Sequence, residues 1–301
     1  MMNPRFRDTR FKTGPALCLL GWLLVGVGMV PGAGKQDKAA SAKEEANPVP
    51  VRVPEDLVGN EHVREEFGVN EFTTPSIRKI FDQLDALGTL SYDNLKRPVA
   101  EKPPGDRVLL SLALGTLIAD GFLVVHCEKI EEMEKIGRNL LKYAKALGAG
   151  MRINKHSQSL LENSVKGDWK KLRNELASTQ SDVEAEMVLL RDSDVAHLIS
   201  LGGWLRAFEI STDAVAQNYT PEKSRQLSRT DIVEYYIASL EDLHPEIKKV
   251  PAIQDLIEGL QAMRPLLDVP AGKAFTEEEV KDLRDKARVL GQIVRQSIPG
   301  K

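Results

Sequence analysis

VLLSLALGTLIADGFLVVH, residues 108–126, is apolar on every side of a helical projection, and only Ser111, Thr116, Asp120 and His126 interrupt it. A helix of this kind has to be covered all round, by lipid or by other helices. The flanks favour protein cover. Arg107 precedes the stretch, Cys127-Glu128-Lys129 follows it, and Asp120 would sit deep in a bilayer at a cost of at least ~2.5 kcal/mol. The next 170 or so residues also supply amphipathic helices able to wrap it.

Downstream, Ile130, Met133, Ile136, Leu140, Leu141, Ala144 and Leu147 recur at threes and fours, with charged residues between them. No proline separates 106 from 147, so the central helical region spans about 106–147 and ends at Gly148-Ala-Gly150; the sequence allows one helix of some 40 residues or two. Upstream, Thr74-Pro75 has the form of an N-cap followed by a first-turn proline, and Ile77, Ile80, Phe81, Leu84 and Leu87 then share a face up to Gly88. A short helical turn is expected around Asp93–Lys96.

Further helices are expected near 154–165, ending at Gly167, and from Asp168, with Leu172, Leu176, Thr179, Val183 and Met187 inward. A second seam, Leu198, Leu201, Leu205, Phe208, Thr212, Val215, is out of phase with the first. Either a turn lies at 191–194 or one long helix changes twist there. Thr220-Pro221 opens another helix; 231–243 and 251–264 follow. Thr276-Glu-Glu-Glu279 is a capping box, with Phe275 placed to staple onto Val280. No stretch alternates as a strand would. The fold class is therefore all-α: a mixed multi-helix bundle, residues 60–301, around the central apolar helix.

Residues 1–34 read as an export signal. Arg5, Arg7, Arg10 and Lys12 make a basic start, Ala16 to Val30 is apolar, and Pro31-Gly-Ala-Gly34 supplies small residues for cleavage near Lys35. The alternative is a short uncleaved anchor, which would be the only route to a membrane. Residues 35–59, with Pro48, Pro50 and Pro54 beside an Ala/Lys/Glu run, read as a disordered linker. The formal charge of −3 becomes −6 once the leader's four cations and Asp8 are removed, which excludes a nucleic-acid partner in the absence of any concentrated basic surface. Cys18 lies in the leader, so Cys127 stands alone and no internal disulfide is expected.

Asp120 carries the strongest chemical signal, because a carboxylate inside an apolar helix must be paired, hydrogen-bonded or neutral. As a site it would transfer protons or bind metal; as structure it accepts bonds from Thr116 or from a basic residue such as Arg206. Asp194-x-x-His197 places a carboxylate and an imidazole on one helical face and, with Asp120 and His126, makes a four-residue metal candidate set. Against it, no Glu-x-x-His of the di-iron kind occurs, nor the Cys-x-x-Cys-His of covalent haem attachment. In the structural reading Asp194 is a cap and His197 edges a seam. Gly202-Gly203-Trp204 lies within a helical pattern and reads as a close helix crossing rather than a phosphate loop.

No catalytic residue and no cofactor is expected. The sequence favours a non-enzymatic binding or structural module, exported to the periplasm or beyond, whose partner is an envelope protein or a small ligand. The competing reading is a metal-, haem- or small-molecule-binding bundle, catalytic or not. Convergence of the four candidate side chains would separate the two. Nothing in the chain specifies an oligomeric state.

Overall fold

Burying residues 108–126 on every side dictates the arrangement of the other helices. The computed structural model describes residues 75–189, 192–270 and 272–296. The leader, the linker, Cys18 and the Thr74 cap lie outside the described residues. All described residues belong to one compact unit, and among them every regular element is a helix. We number these α1 (Ile77–Asp85), α2 (Tyr92–Leu95), α3 (Arg107–His126), α4 (Ile130–Leu147), α5 (Gly150–Val165), α6 (Trp169–Leu189), α7 (Ser193–Gln217), α8 (Pro221–Arg225), α9 (Thr230–Glu241), α10 (Pro245–Lys248), α11 (Pro251–Leu267) and α12 (Glu277–Gln296).

The Asp106 side chain caps α3 by accepting from Leu109 N (2.9 Å). Every residue of α3 from Leu110 to Val125 is buried. Among the described helices α3 alone has the length and apolarity to cross a membrane, yet protein covers it. Of the two arrangements the sequence allows over 106–147, the chain forms two helices rather than one. The chain leaves the helix after His126, Glu128 adopts a left-handed φ of 54°, and α4 begins at Ile130. Arg107 at the start of α3 donates to Leu147 O at the end of α4 (3.0 Å), so the two helices run antiparallel. The break follows from burial: a continuous helix would carry the amphipathic half away from the apolar half, whereas folding back lets Met133, Ile136 and Leu140 help to cover it.

The first helix also starts later than expected. Its cap is Ser76, whose Oγ accepts from Lys79 N. Pro75 instead lends its carbonyl to Ser200 Oγ (2.9 Å), which also meets the Tyr236 hydroxyl (2.9 Å). At the second ambiguous boundary α6 and α7 are separate helices, and Asp192 stands at the N-cap of α7. The capping box forms at α12: Thr276 N donates to Glu279 Oε2 (2.7 Å), and Glu279 N to Thr276 Oγ1 (3.2 Å). Helix α12 packs on α7 and α11, and α11 packs on α9.

Helices α3 and α7 cross backbone against backbone. A β-carbon at Gly115 would lie 1.8 Å from Ile199 O, and one at Gly202 would lie 2.1 Å from Leu112 O. Trp204 packs beside the crossing, stacked on Phe208 with ring centroids 5.3 Å apart. Gly115→Ala and Gly202→Ala should therefore each destabilise by ~1–3 kcal/mol, despite alanine's better helix propensity. At Gly137, in α4, a β-carbon meets nothing within 4 Å, and Gly137→Ala should stabilise by ~0.5–1 kcal/mol. Urea unfolding of the three variants checks the contrast; alanine tolerated at 115 would refute the close crossing.

Candidate functional site

Five residues beyond Gly115, α3 presents Asp120 to α7, and four residues beyond Gly202, α7 presents Arg206 in return. Arg206 Nε donates to Asp120 Oδ1 (2.7 Å). The other oxygen, Oδ2, accepts from Arg97 Nε (2.8 Å), which reaches in from the proline-rich segment between α2 and α3. Thr116, the other partner the sequence offered, turns back to Ala113 O instead (2.8 Å). Arg206 uses its whole fork: Nη1 donates to Glu209 Oε2 (2.9 Å) and Nη2 to Leu95 O (2.5 Å). Glu209 in turn accepts from Arg295 of α12 (3.2 Å), with Gly291 leaving room beside it. One turn further along α7, Asp213 pairs with Arg288 (2.5 Å).

Charges thus alternate Arg97, Asp120, Arg206, Glu209, Arg295 through the interior. Burial alone would push the Asp120 carboxyl up, but the charges of Arg97 and Arg206, with the bonds they donate, outweigh it and hold the group below the usual carboxylate range. A general acid or base working near neutrality needs a pKa moved towards 7, the opposite direction. Asp213 shows the contrary balance: burial prevails over its bonds to Arg288, and its pKa is raised.

The other three candidates lie elsewhere. His126, at the end of α3, places Nδ1 2.7 Å from Asp85 Oδ1, and Arg173 holds the second oxygen of Asp85 (2.5 Å), joining α3, α1 and α6. Asp194 is not the cap of α7. It sits in the first turn and accepts from His244 N (3.1 Å), tying that helix to α10. His197 packs edge-on to Tyr235, and its buried Nε2 has no hydrogen-bond partner. Asp194 is twelve residues from Arg206, a distance of ~18 Å along a helix axis. Among the described residues no three His, Cys, Asp or Glu side chains are grouped to hold a metal ion. Cys127 Sγ faces Leu90 O (3.6 Å), and burial pushes its thiol up, away from the reactive thiolate.

The sequence reading missed Arg97, Glu209 and Arg295. It also missed His156 of α5, whose Nδ1 meets Glu175 and whose Nε2 meets Asp182 (2.8 Å), both on α6. Glu175 and Asp182 are seven residues apart and flank the Leu172–Met187 seam, so an acidic stripe beside an apolar face was the available signal. No protein-family model, curated protein or solved structure matches the chain.

Burial lowers the pKa of His197 against the opposing pull of Asp194 and Asp242. The unfolded ring takes a proton near pH 6.5 and the folded ring only at lower pH. The unfolded state therefore binds more protons as pH drops through that window, and stability falls. Relative to wild type, His197→Phe should gain stability between about pH 7 and about pH 5.5, by no more than ~1.4 kcal/mol per pH unit. Urea unfolding at both pH values tests this; parallel pH profiles for the two proteins would show that His197 does not titrate differently on folding.

Proposed function

We propose that the chain is an exported, non-enzymatic helical module that presents a fixed surface to a partner in the cell envelope. The observation that carries this reading is the state of Asp120. Both of its oxygens accept arginine Nε–H donors, its proton is held off, and its partner Arg206 has no donor nitrogen left over. The most conspicuous ionisable group in the sequence thus serves to fasten α3, α7 and the 97–106 segment together. His126, Asp194 and His197 each serve a different helix junction, which supports the same reading.

Asp120→Asn removes the charge while nearly keeping the shape, leaving Arg97 without its carboxylate partner and Arg206 with Glu209 alone. Stability should fall by ~1–5 kcal/mol, with metal content per folded molecule unchanged. Thermal melts with and without chelator, beside metal analysis, read both quantities. A variant that is more stable and has lost a bound metal would overturn the proposal.

Export rests on the basic start and apolar run of residues 1–34. N-terminal sequencing of protein from the envelope fraction should begin near Lys35. An intact Met1 on protein recovered from the cytoplasm would refute export.

A further inference from the structure

The contact between α7 and α9 holds an imidazole nitrogen without a partner. Among the described residues the buried Nε2 of His197 meets no hydrogen-bonding group, while the ring packs edge-on against Tyr235 of α9 with centroids 6.4 Å apart. Helix α9 lies close to α11 and meets α7 through large side chains. Tyr236 tilts against Trp204 at 5.3 Å, and its hydroxyl meets Ser200 Oγ (2.9 Å). One end of this contact is a crevice of about 40 Å³ between Ile80, Trp204, Phe208 and Ile232, more than the space one water needs. At the other end His244 N donates to Asp194 Oδ2 (3.1 Å), tying α10 to α7.

The contact suits a neutral ring better than a charged one. The charged groups that face it are Asp194, one turn back on α7, and Asp242 at the end of α9. Both favour the proton, but burial outweighs them and pushes the ring's pKa down. Of the other titratable groups at the junction, Tyr235 meets the ring edge-on and His244 accepts at Nδ1 from Glu246 N (3.3 Å). A solvated imidazole takes a proton near pH 6.5. Any state in which α9 has left His197 therefore binds more protons than the closed state, and falling pH favours it. Helix α9 has 12 residues, short enough to be marginal without packing, so leaving α7 unwinds it.

We propose that the α7–α9 contact is an acid-sensitive latch: when His197 takes a proton, α9 and α10 unwind locally from α7 while α3 and α12 stay folded, baring the aromatic face of Trp204 and Tyr236. The latch goes beyond the module reading and holds whatever partner the module meets. It supplies regulation, a surface shown in acid and covered near neutrality.

The full-length chain is followed by amide hydrogen exchange with mass spectrometry at about pH 7.5 and about pH 5.5, each rate corrected for the pH dependence of intrinsic exchange. Residues 230–248 should exchange through a local opening, less protected than residues 108–126 and nearly unaffected by ~1 M urea, because such an opening exposes little surface. Their protection should fall roughly two- to tenfold between the two pH values. The upper figure is the limit for one group that titrates near pH 6.5 when open and well below about pH 5.5 when closed. The fall should vanish in His197→Phe and in His197→Gln, neither of which titrates there. It should survive in His244→Asn, which keeps a capping acceptor at the start of α10. Residues 230–248 that exchange only with the protection and urea sensitivity of residues 108–126 would show global unfolding alone and overturn the latch. So would wild-type protection unchanged by pH, a fall that persists in either His197 variant, or one abolished by His244→Asn.

Discussion

The backbone-to-backbone crossing of α3 and α7 is the constraint on which the other packing depends. With hydrogen at residues 115 and 202, Ile199 O and Leu112 O occupy the space that side chains would fill. Interiors packed to crystal-like density cannot absorb an extra methyl there without moving a helix. The close approach also sets the electrostatics. Asp120 and Arg206 follow the crossing by about one turn each, and only because the axes are near can a short carboxylate and a guanidinium meet at 2.7 Å.

Buried ion pairs are weak as sources of stability, since desolvation consumes much of the Coulombic gain, but they are costly to break singly. The network around Asp120 has that character. It joins positions 97, 120, 206, 209 and 295, drawn from four segments far apart in the chain, and each internal member contacts two opposite charges. Exposed pairs such as Arg264 with Glu234 or Lys281 with Glu277 add at most ~1 kcal/mol each. The interior network therefore specifies which helices meet, and apolar burial around α3 supplies the driving force.

Histidine use follows the same division of labour. His126 bridges α3 to α1, His156 joins α5 to α6, His197 fills the contact of α7 with α9, and His244 opens α10 by accepting from Glu246 N. Residues that resemble ligand sets in a linear reading are spread over separate junctions of the bundle.

What the sequence determined by itself was local. The capping box at Thr276, the cap at Thr220, the stop at Gly167 and the inward faces of the helices all depend on contacts within four residues, so periodicity and residue type suffice to read them. The need of Asp120 to be paired, hydrogen-bonded or neutral was equally legible, because burial of a charge is unfavourable whatever the fold. Arg206 was among the partners the sequence offered, whereas the tertiary structure alone added Arg97 and, beyond Glu209, Arg295. Arg97 lies in a proline-rich connection with no periodicity, and Arg295 is an ordinary charged residue on an amphipathic helix. The break at Glu128 also belongs to this level. No proline or glycine marks it, and the chain reverses there because an apolar helix gains more from being covered by the next segment than from continuing into it. Pairings across tens to hundreds of residues depend on which helices cross and how closely, and that is set by the summed packing of the whole unit, which no window of sequence contains.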